Sequence, residues 1–153
     1  YHSDAARTYG IGEISKEAEQ LIRVTRECFF EGIKYAKSGN HLFDISRAVA
    51  RHAEKHGYGV VRDLCGHGIG TKLHEDPQIP NYEMERKGPL LKPGMTLAIE
   101  PMVNMGTWEV EWLDDDWTVV SKDHSLSAHY ENTVVITDGD PKLLTLGVRQ
   151  SKG

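Results

Sequence analysis

The chain is 153 residues long, with a formal net charge of −5 and a pI near 5.9, a size that fits one domain with its own core. The acidic balance offers no basic footprint for nucleic acid, and no apolar run approaches the roughly 20 residues of a membrane span. Two cysteines, Cys28 and Cys65, make no disulfide framework, so a reduced, cytoplasmic protein is expected.

Tyr1 to Ile11 reads as the end of a hairpin strand, stopped by Gly10 and Gly12. Ser15 is an N-cap candidate, with Glu17 and Glu19 in a first turn where the helix dipole favours acids. Ala18, Leu21, Ile22, Thr25, Phe29, Gly32, Ile33 and Ala36 then keep helical spacing on one face, and Ser38-Gly39-Asn40 ends the helix near Lys37. A second helix runs from about Leu42 to His56, with Ile45, Val49 and Ala53 inward and Gly57 as its stop. Tyr58 to Leu64 is a strand that delivers the chain to Cys65 and His67. Pro77, Pro80 and Pro89 predict an irregular stretch between His74 and Lys92. Met95 to Val103 is the next strand. Trp108–Trp112 and Trp117–Val120 form a hairpin across Asp114-Asp115-Asp116, and Ala128–Thr137 is the last main strand before a tail of loop and strand from Lys142. Helices grouped ahead of antiparallel-type strands give an α+β class.

The glycine-dense stretch Gly66-His67-Gly68-Ile69-Gly70 sets His67 seven residues before His74, which opens His74-Glu75-Asp76-Pro77. Its glycines permit backbone dihedrals closed to other residues and leave room beside His67 for an ion or substrate. A phosphate-cradling loop would need a helix to open directly behind it, and Lys72, His74, Pro77 and Pro80 follow instead. Glu100, in Ile99-Glu100-Pro101, and Glu131, in Tyr130-Glu131-Asn132, are carboxylates embedded in apolar strand-like runs. Burying such a group is costly unless it is paired, hydrogen-bonded or bound to metal. Asp4, His67, Glu100 and Glu131, drawn from four separate segments, therefore read as a metal site rich in oxygen with a single nitrogen. Carboxylate and imidazole donors suit cobalt, manganese, iron, zinc or nickel, and spacing does not choose among them. His2, His41, His52, His56, His124 and His129 are read as ordinary histidines. His52 and His56 are four residues apart, but Arg51, Glu54 and Lys55 beside them indicate a solvated helix face.

These pieces stand in the order His2-Ser3-Asp4-Ala5-Ala6-Arg7-Thr8, Cys65-Gly66-His67-Gly68-Ile69-Gly70, His74-Glu75-Asp76-Pro77, Glu100-Pro101-Met102-Val103 and Ser127-Ala128-His129-Tyr130-Glu131-Asn132-Thr133. The set resembles the methionine aminopeptidases of the pita-bread metallopeptidase superfamily, from Tyr1 to about Val135. Only 30 residues separate Glu100 from Glu131, too few for the large insertion of type II enzymes, so the resemblance is to type I. It implies a pita-bread fold, with a curved antiparallel sheet backed by helices, and two divalent metal ions. It also implies that Asp4 and Glu131 bridge the ions while His67 and Glu100 complete the second one. His74 would hydrogen-bond the scissile carbonyl or stabilise the tetrahedral intermediate, and Glu100 would help move the proton of the attacking water. Trp117 matches a wall of the methionine pocket, with Cys65 near it. Leu73 stands at a wall position that is aromatic in some members. The implied reaction removes the N-terminal methionine of nascent polypeptides whose second residue is small, with the ribosome as a candidate contact.

The family fold has two pseudo-symmetric halves, and residues 1–153 match the second half plus the end of the first. A further Asp ligand and a substrate-binding His of the first half would fall before Tyr1. The chain is therefore expected to be the C-terminal part of a single catalytic domain, with the N-terminal half missing. On that reading Asp4 is poorly held, the first ion has only two protein ligands, and the 153 residues alone are inactive. Competing readings are a non-enzymatic pita-bread module that binds peptide or protein, a small metal-binding or structural domain, and a proline-specific aminopeptidase with the same ligands.

Overall fold

Helix α1 (Lys16–Ile33) begins where Ser15 accepts a hydrogen bond from the Ala18 N–H and Glu17 and Glu19 occupy the first turn. A computed structural model describes residues 1–146 of the chain. The helix stops short of the expected Lys37. Tyr35 and Ala36 donate to the Gly32 and Ile33 carbonyls, a tighter closing turn that swings Ala36 into the core. Helix α2 (Leu42–Lys55) starts at His41, whose N–H donates to the Asp44 carboxylate, and runs into Gly57 at φ +77°. The two helices pack where Gly32 leaves space. A Cβ there would lie 2.8 Å from Val49 Cγ2, so only glycine allows this approach.

Among the described residues ten strands follow: β1 (Gly59–Val60), β2 (Gly66–Gly68), β3 (Glu75–Ile79), β4 (Thr96–Ile99), β5 (Met102–Asn104), β6 (Val110–Trp112), β7 (Val119–Ser121), β8 (Ser127–His129), β9 (Asn132–Val135) and β10 (Lys142–Leu143). All pairings are antiparallel. Strands β10-β9-β4-β2-β3 make a five-stranded sheet, β1-β5-β8 a three-stranded one, and β6-β7 a separate hairpin. Helix α1 lies on β5 and β8, and α2 reaches β1 and β3. Phe29, Phe30 and Tyr130 pack as an aromatic cluster between helix and sheet. Among the described residues no helix is long and apolar enough to cross a membrane.

Several expected boundaries move for identifiable reasons. Met95–Val103 and Ala128–Thr137 are each two strands, broken at Glu100-Pro101 and at Tyr130-Glu131. At each break the chain leaves one sheet for the other, and Pro101 has no N–H to give a continuous ladder. The stretch expected to be irregular contains β3, which tolerates Pro77 because it is an edge strand. Tyr58–Leu64 is strand only at Gly59–Val60, while the Gly66–Gly68 stretch itself is a strand. The glycines around His67 are not there for unusual dihedrals, because none of Gly66, Gly68 and Gly70 has a positive φ. They permit contact: a Cβ on Gly66 would lie 2.4 Å from the Ala98 carbonyl oxygen, and one on Gly68 would lie 2.1 Å from that of Asp76.

Residues 1–11 form no regular strand, yet they are tied to the sheet rather than loose. His2 N–H donates to Gly70 O, and Ala6 and Glu131 exchange backbone hydrogen bonds. Thr133 Oγ1 accepts from the Asp4 N–H at 2.9 Å and donates to the Asp4 carbonyl at 2.9 Å. The expectation that Asp4 is poorly held is thereby corrected.

Candidate metal centre

Three loops and a strand deliver the acidic cluster. Asp4 comes from the pinned N-terminal segment, His67 from the middle of β2, Glu100 from the β4–β5 break and Glu131 from the β8–β9 break. His67 Nε2 lies 3.9 Å from Asp4 Oδ2 and 3.5 Å from Glu100 Oε1. His67 Nδ1 is 2.9 Å from the Gly68 carbonyl oxygen. A carbonyl only accepts, so Nδ1 carries the hydrogen, and Nε2 is the ring nitrogen turned toward the carboxylates and left to bind an ion. That orientation is the one a metal ligand needs.

Glu131 is 3% exposed, and its Oε1 has no hydrogen-bond partner. Burial, then the neighbouring Glu100 and Asp4 charges, push its carboxyl up to about 8, against a smaller opposing pull from Arg7. Arg7 only partly offsets burial and the two neighbouring carboxylates, and a divalent cation is the group that would neutralise them. Donor atoms of Asp4, His67 and Glu131 lie within 4.8 Å of one another, and so do those of Glu100, His129 and Glu131. Glu131 belongs to both sets, which is the position of a shared carboxylate.

The supporting contacts are specific. Asn81 Nδ2 donates to the Glu100 carbonyl at 3.0 Å. Arg7 donates to the carbonyls of Ala6 and Glu131 and to Asn132 Oδ1, and its guanidinium lies 4.1 Å from the Tyr130 ring centroid. These bonds fix the backbone on both sides of Glu131.

Beside the cluster lies a cleft of about 720 Å³ whose lining includes Cys65, His67, Lys72, His74 and Asp76. His74 is exposed and sits against His67, ring centroids 4.4 Å apart and nearly perpendicular. Cys65 is half-buried, and burial followed by the Glu100 charge raises its thiol, so it is no reactive thiolate. Cys28 is buried and its thiol is pushed up to about 12, mainly by burial. Two expected pocket residues lie elsewhere. Leu73 is 38% exposed and Trp117 is 87% exposed, and neither lines the cleft. Trp117 is in the turn before β7, not in a strand, because Asp115 accepts from the N–H groups of Trp117 and Thr118 and holds them in that turn.

The sequence profile of metallopeptidase family M24 matches residues 1–138. The chain belongs to this family. It is 58% identical over 146 residues to a methionine aminopeptidase of Clostridium perfringens, a match covering 95% of this chain and 59% of that protein. A methionine aminopeptidase of Bacillus subtilis is 49% identical over 145 residues, with 95% of this chain and 58% of the relative covered. The crystal structure of the Thermotoga maritima methionine aminopeptidase superposes with a TM-score of 0.92 at 47% identity, covering 95% of this chain and 58% of that one. A Pyrococcus furiosus prolidase superposes less closely, with a TM-score of 0.72 at 25% identity, over 95% of this chain and 37% of that one. The fold is thus the pita-bread fold of M24, and the chain spans 59% or less of the length of these relatives.

M24 membership implies divalent metal ions, and the donor set fits them. The reading from sequence passed over His129. Its Nε2 is buried without a hydrogen-bond partner and lies 3.5 Å from Glu100 Oε2. The signal was available: in an extended run, residues two apart share a face, and His129 stands two before Glu131.

Proposed function

We propose that the complete gene product is a methionine aminopeptidase of type I and that this chain carries most of its metal centre. The observation that carries the proposal is the convergence of Asp4, His67, Glu100 and Glu131, with His74 exposed at the rim. Asp4, His67, Glu100 and Glu131 would hold the ions, with Glu131 and Asp4 shared between two of them. Divalent ions held there would supply Lewis-acid polarisation of the scissile carbonyl and an activated water at neutral pH. Oxygen-rich donors with one imidazole are compatible with manganese, iron, cobalt, zinc or nickel.

The protein's own groups then divide the work. His74 donates a hydrogen bond to the scissile carbonyl oxygen and stabilises the negative charge that develops there. Glu100 takes the proton of the attacking water and delivers it to the departing amine. His67 and Glu100 are mutually oriented by the Gly68 carbonyl and Asn81. Cys65, which lines the cleft, is assigned to the methionine side-chain pocket, whereas Leu73 and Trp117 stand outside that cleft and are given no part in it. The substrate is the N-terminal methionine of newly made polypeptides with a small second residue, and the cytoplasm is the compartment where it acts.

The higher identity to methionine aminopeptidases than to the prolidase favours methionine over proline specificity. Assay of the complete gene product, loaded with manganese or cobalt, on Met-Ala, Met-Gly and X-Pro peptides tests this. Release of methionine alone supports the proposal; preferential cleavage of the X-Pro peptides would overturn it.

A further inference from the structure

His52 and His56 lie one turn apart on α2, and Glu27 of α1 reaches across to them. Donor atoms of the three residues lie within 4.8 Å of one another. His52 Nε2 is 3.0 Å from Glu27 Oε2, while Arg23 occupies the other carboxylate oxygen at 2.6 Å. His56 Nδ1 lies 2.9 Å from the His52 carbonyl. Since that carbonyl only accepts, Nδ1 bears the hydrogen, and Nε2 is the nitrogen left to donate to an ion. The two imidazoles are 4.9 Å apart, and His56 is stacked on Tyr58 with an interplanar angle of 24°. All three residues are half-buried, with side-chain exposures of 21% for His52 and 37% for Glu27. They are both accessible and confined.

We infer that Glu27, His52 and His56 form a second, mononuclear site for a divalent cation of borderline softness such as zinc. Histidines spaced i, i+4 on a helix present two nitrogens to one ion, and a carboxylate oxygen from another element supplies a third donor. Donors about 2.0–2.2 Å from a tetrahedral zinc stand roughly 3.3–3.6 Å apart, so His52 Nε2 and Glu27 Oε2, now 3.0 Å apart, need part by only a few tenths of an ångström to share an ion. Binding displaces any proton on His52 Nε2 to solvent and leaves a fourth position to water. Because the donors come from both helices, the ion clamps α1 to α2. This site is separate from the carboxylate cluster and does not depend on the reaction proposed for it.

The test uses the complete gene product and zinc alone. Metal analysis after equilibrium dialysis is expected to find one fewer zinc ion per chain in His56→Gln and in His52→Gln than in the unaltered protein. Imidazole nitrogen NMR of the unaltered protein provides a readout that needs no variant. Zinc is expected to shift the Nε2 resonances of His52 and His56 and to leave those of His41 and His124 in place. Equal zinc content in the variants, or His52 and His56 resonances that zinc does not move, would overturn the site.

Discussion

Glu100 and Glu131 face each other across one shared interruption of two strand pairs. On one side Ile99 pairs with Asn132, and on the other Met102 pairs with His129. Between those rungs lie Glu100-Pro101 on one strand and Tyr130-Glu131 on the other. Both carboxylates therefore leave the ladder at the same point, where the chain passes from the five-stranded to the three-stranded sheet. Their proximity is a property of the strand topology, and it makes the cluster repulsive without a cation.

That repulsion has a pH signature. Glu131 rises from 4.5 to about 8, first through burial and then through Glu100 and Asp4. The folded state keeps a proton that the unfolded chain has released, so this contribution is fully present below about pH 4.5 and lost as pH climbs to about 8. The loss is on the order of 5 kcal/mol. Metal-free complete gene product should melt at a lower temperature near the upper end of that window than near the lower end. Glu131→Gln should flatten the slope. Identical slopes for the metal-free unaltered protein and Glu131→Gln would sink this account.

Substitutions should separate ion holding from action on substrate. In the complete gene product, Glu131→Ala and His67→Ala are expected to lose metal and all turnover, with Glu131→Ala losing more metal because its carboxylate belongs to both donor sets. His74→Ala should keep its metal and lower kcat by roughly 10²- to 10³-fold, the usual cost of removing a donor to a developing oxyanion. Metal analysis beside peptide kinetics decides, and metal loss in His74→Ala would contradict its role.

His129 is expected to position Glu100. Its Nε2 lies 3.5 Å from Glu100 Oε2, while His67 Nε2 lies 3.5 Å from the other carboxylate oxygen, Oε1. His129→Ala should weaken metal affinity by roughly 10- to 100-fold, in line with loss of a group that orients a ligand. His129→Gln, which keeps a polar nitrogen in that space, should recover most of it. Competition with a chelator measures both. Equal affinities in His129→Ala and the unaltered protein would remove His129 from the site.

How much of this was legible in the sequence depended on the range of the signal. Helices α1 and α2 followed from local spacing and caps, with Ser15 and Gly57 marking ends. The donors were recognisable because Glu100 and Glu131 stood where a carboxylate is costly. The breaks at those residues were not legible, since a strand that changes sheets keeps the same apolar alternation on both sides. Strand β3 was hidden by Pro77, whose tolerance depends on β3 being an edge strand. Glu27 could not be joined to His52 and His56 because it stands 25 positions before His52, and only helix packing brings them together.

The glycines around His67 make a final, discriminating prediction. Gly68 approaches a rigid partner, since its added Cβ would lie 2.1 Å from the Asp76 carbonyl oxygen. Gly70 faces a yielding one, because its Cβ would meet the Glu75 carboxylate at 3.1 Å. The backbone of β3 must move to admit an alanine at 68, whereas the Glu75 side chain can swing aside for one at 70. Gly68→Ala should therefore destabilise the protein by about 1–3 kcal/mol or more. It should also reduce metal content, because β2 carries His67 one residue away and pairs directly with β3. Gly70→Ala should cost less than about 1 kcal/mol, in keeping with a change that a flexible side chain absorbs. Paired thermal melts and metal analysis of the two variants check the contrast, and equal effects at both positions would show that close strand contact is not what the glycines provide.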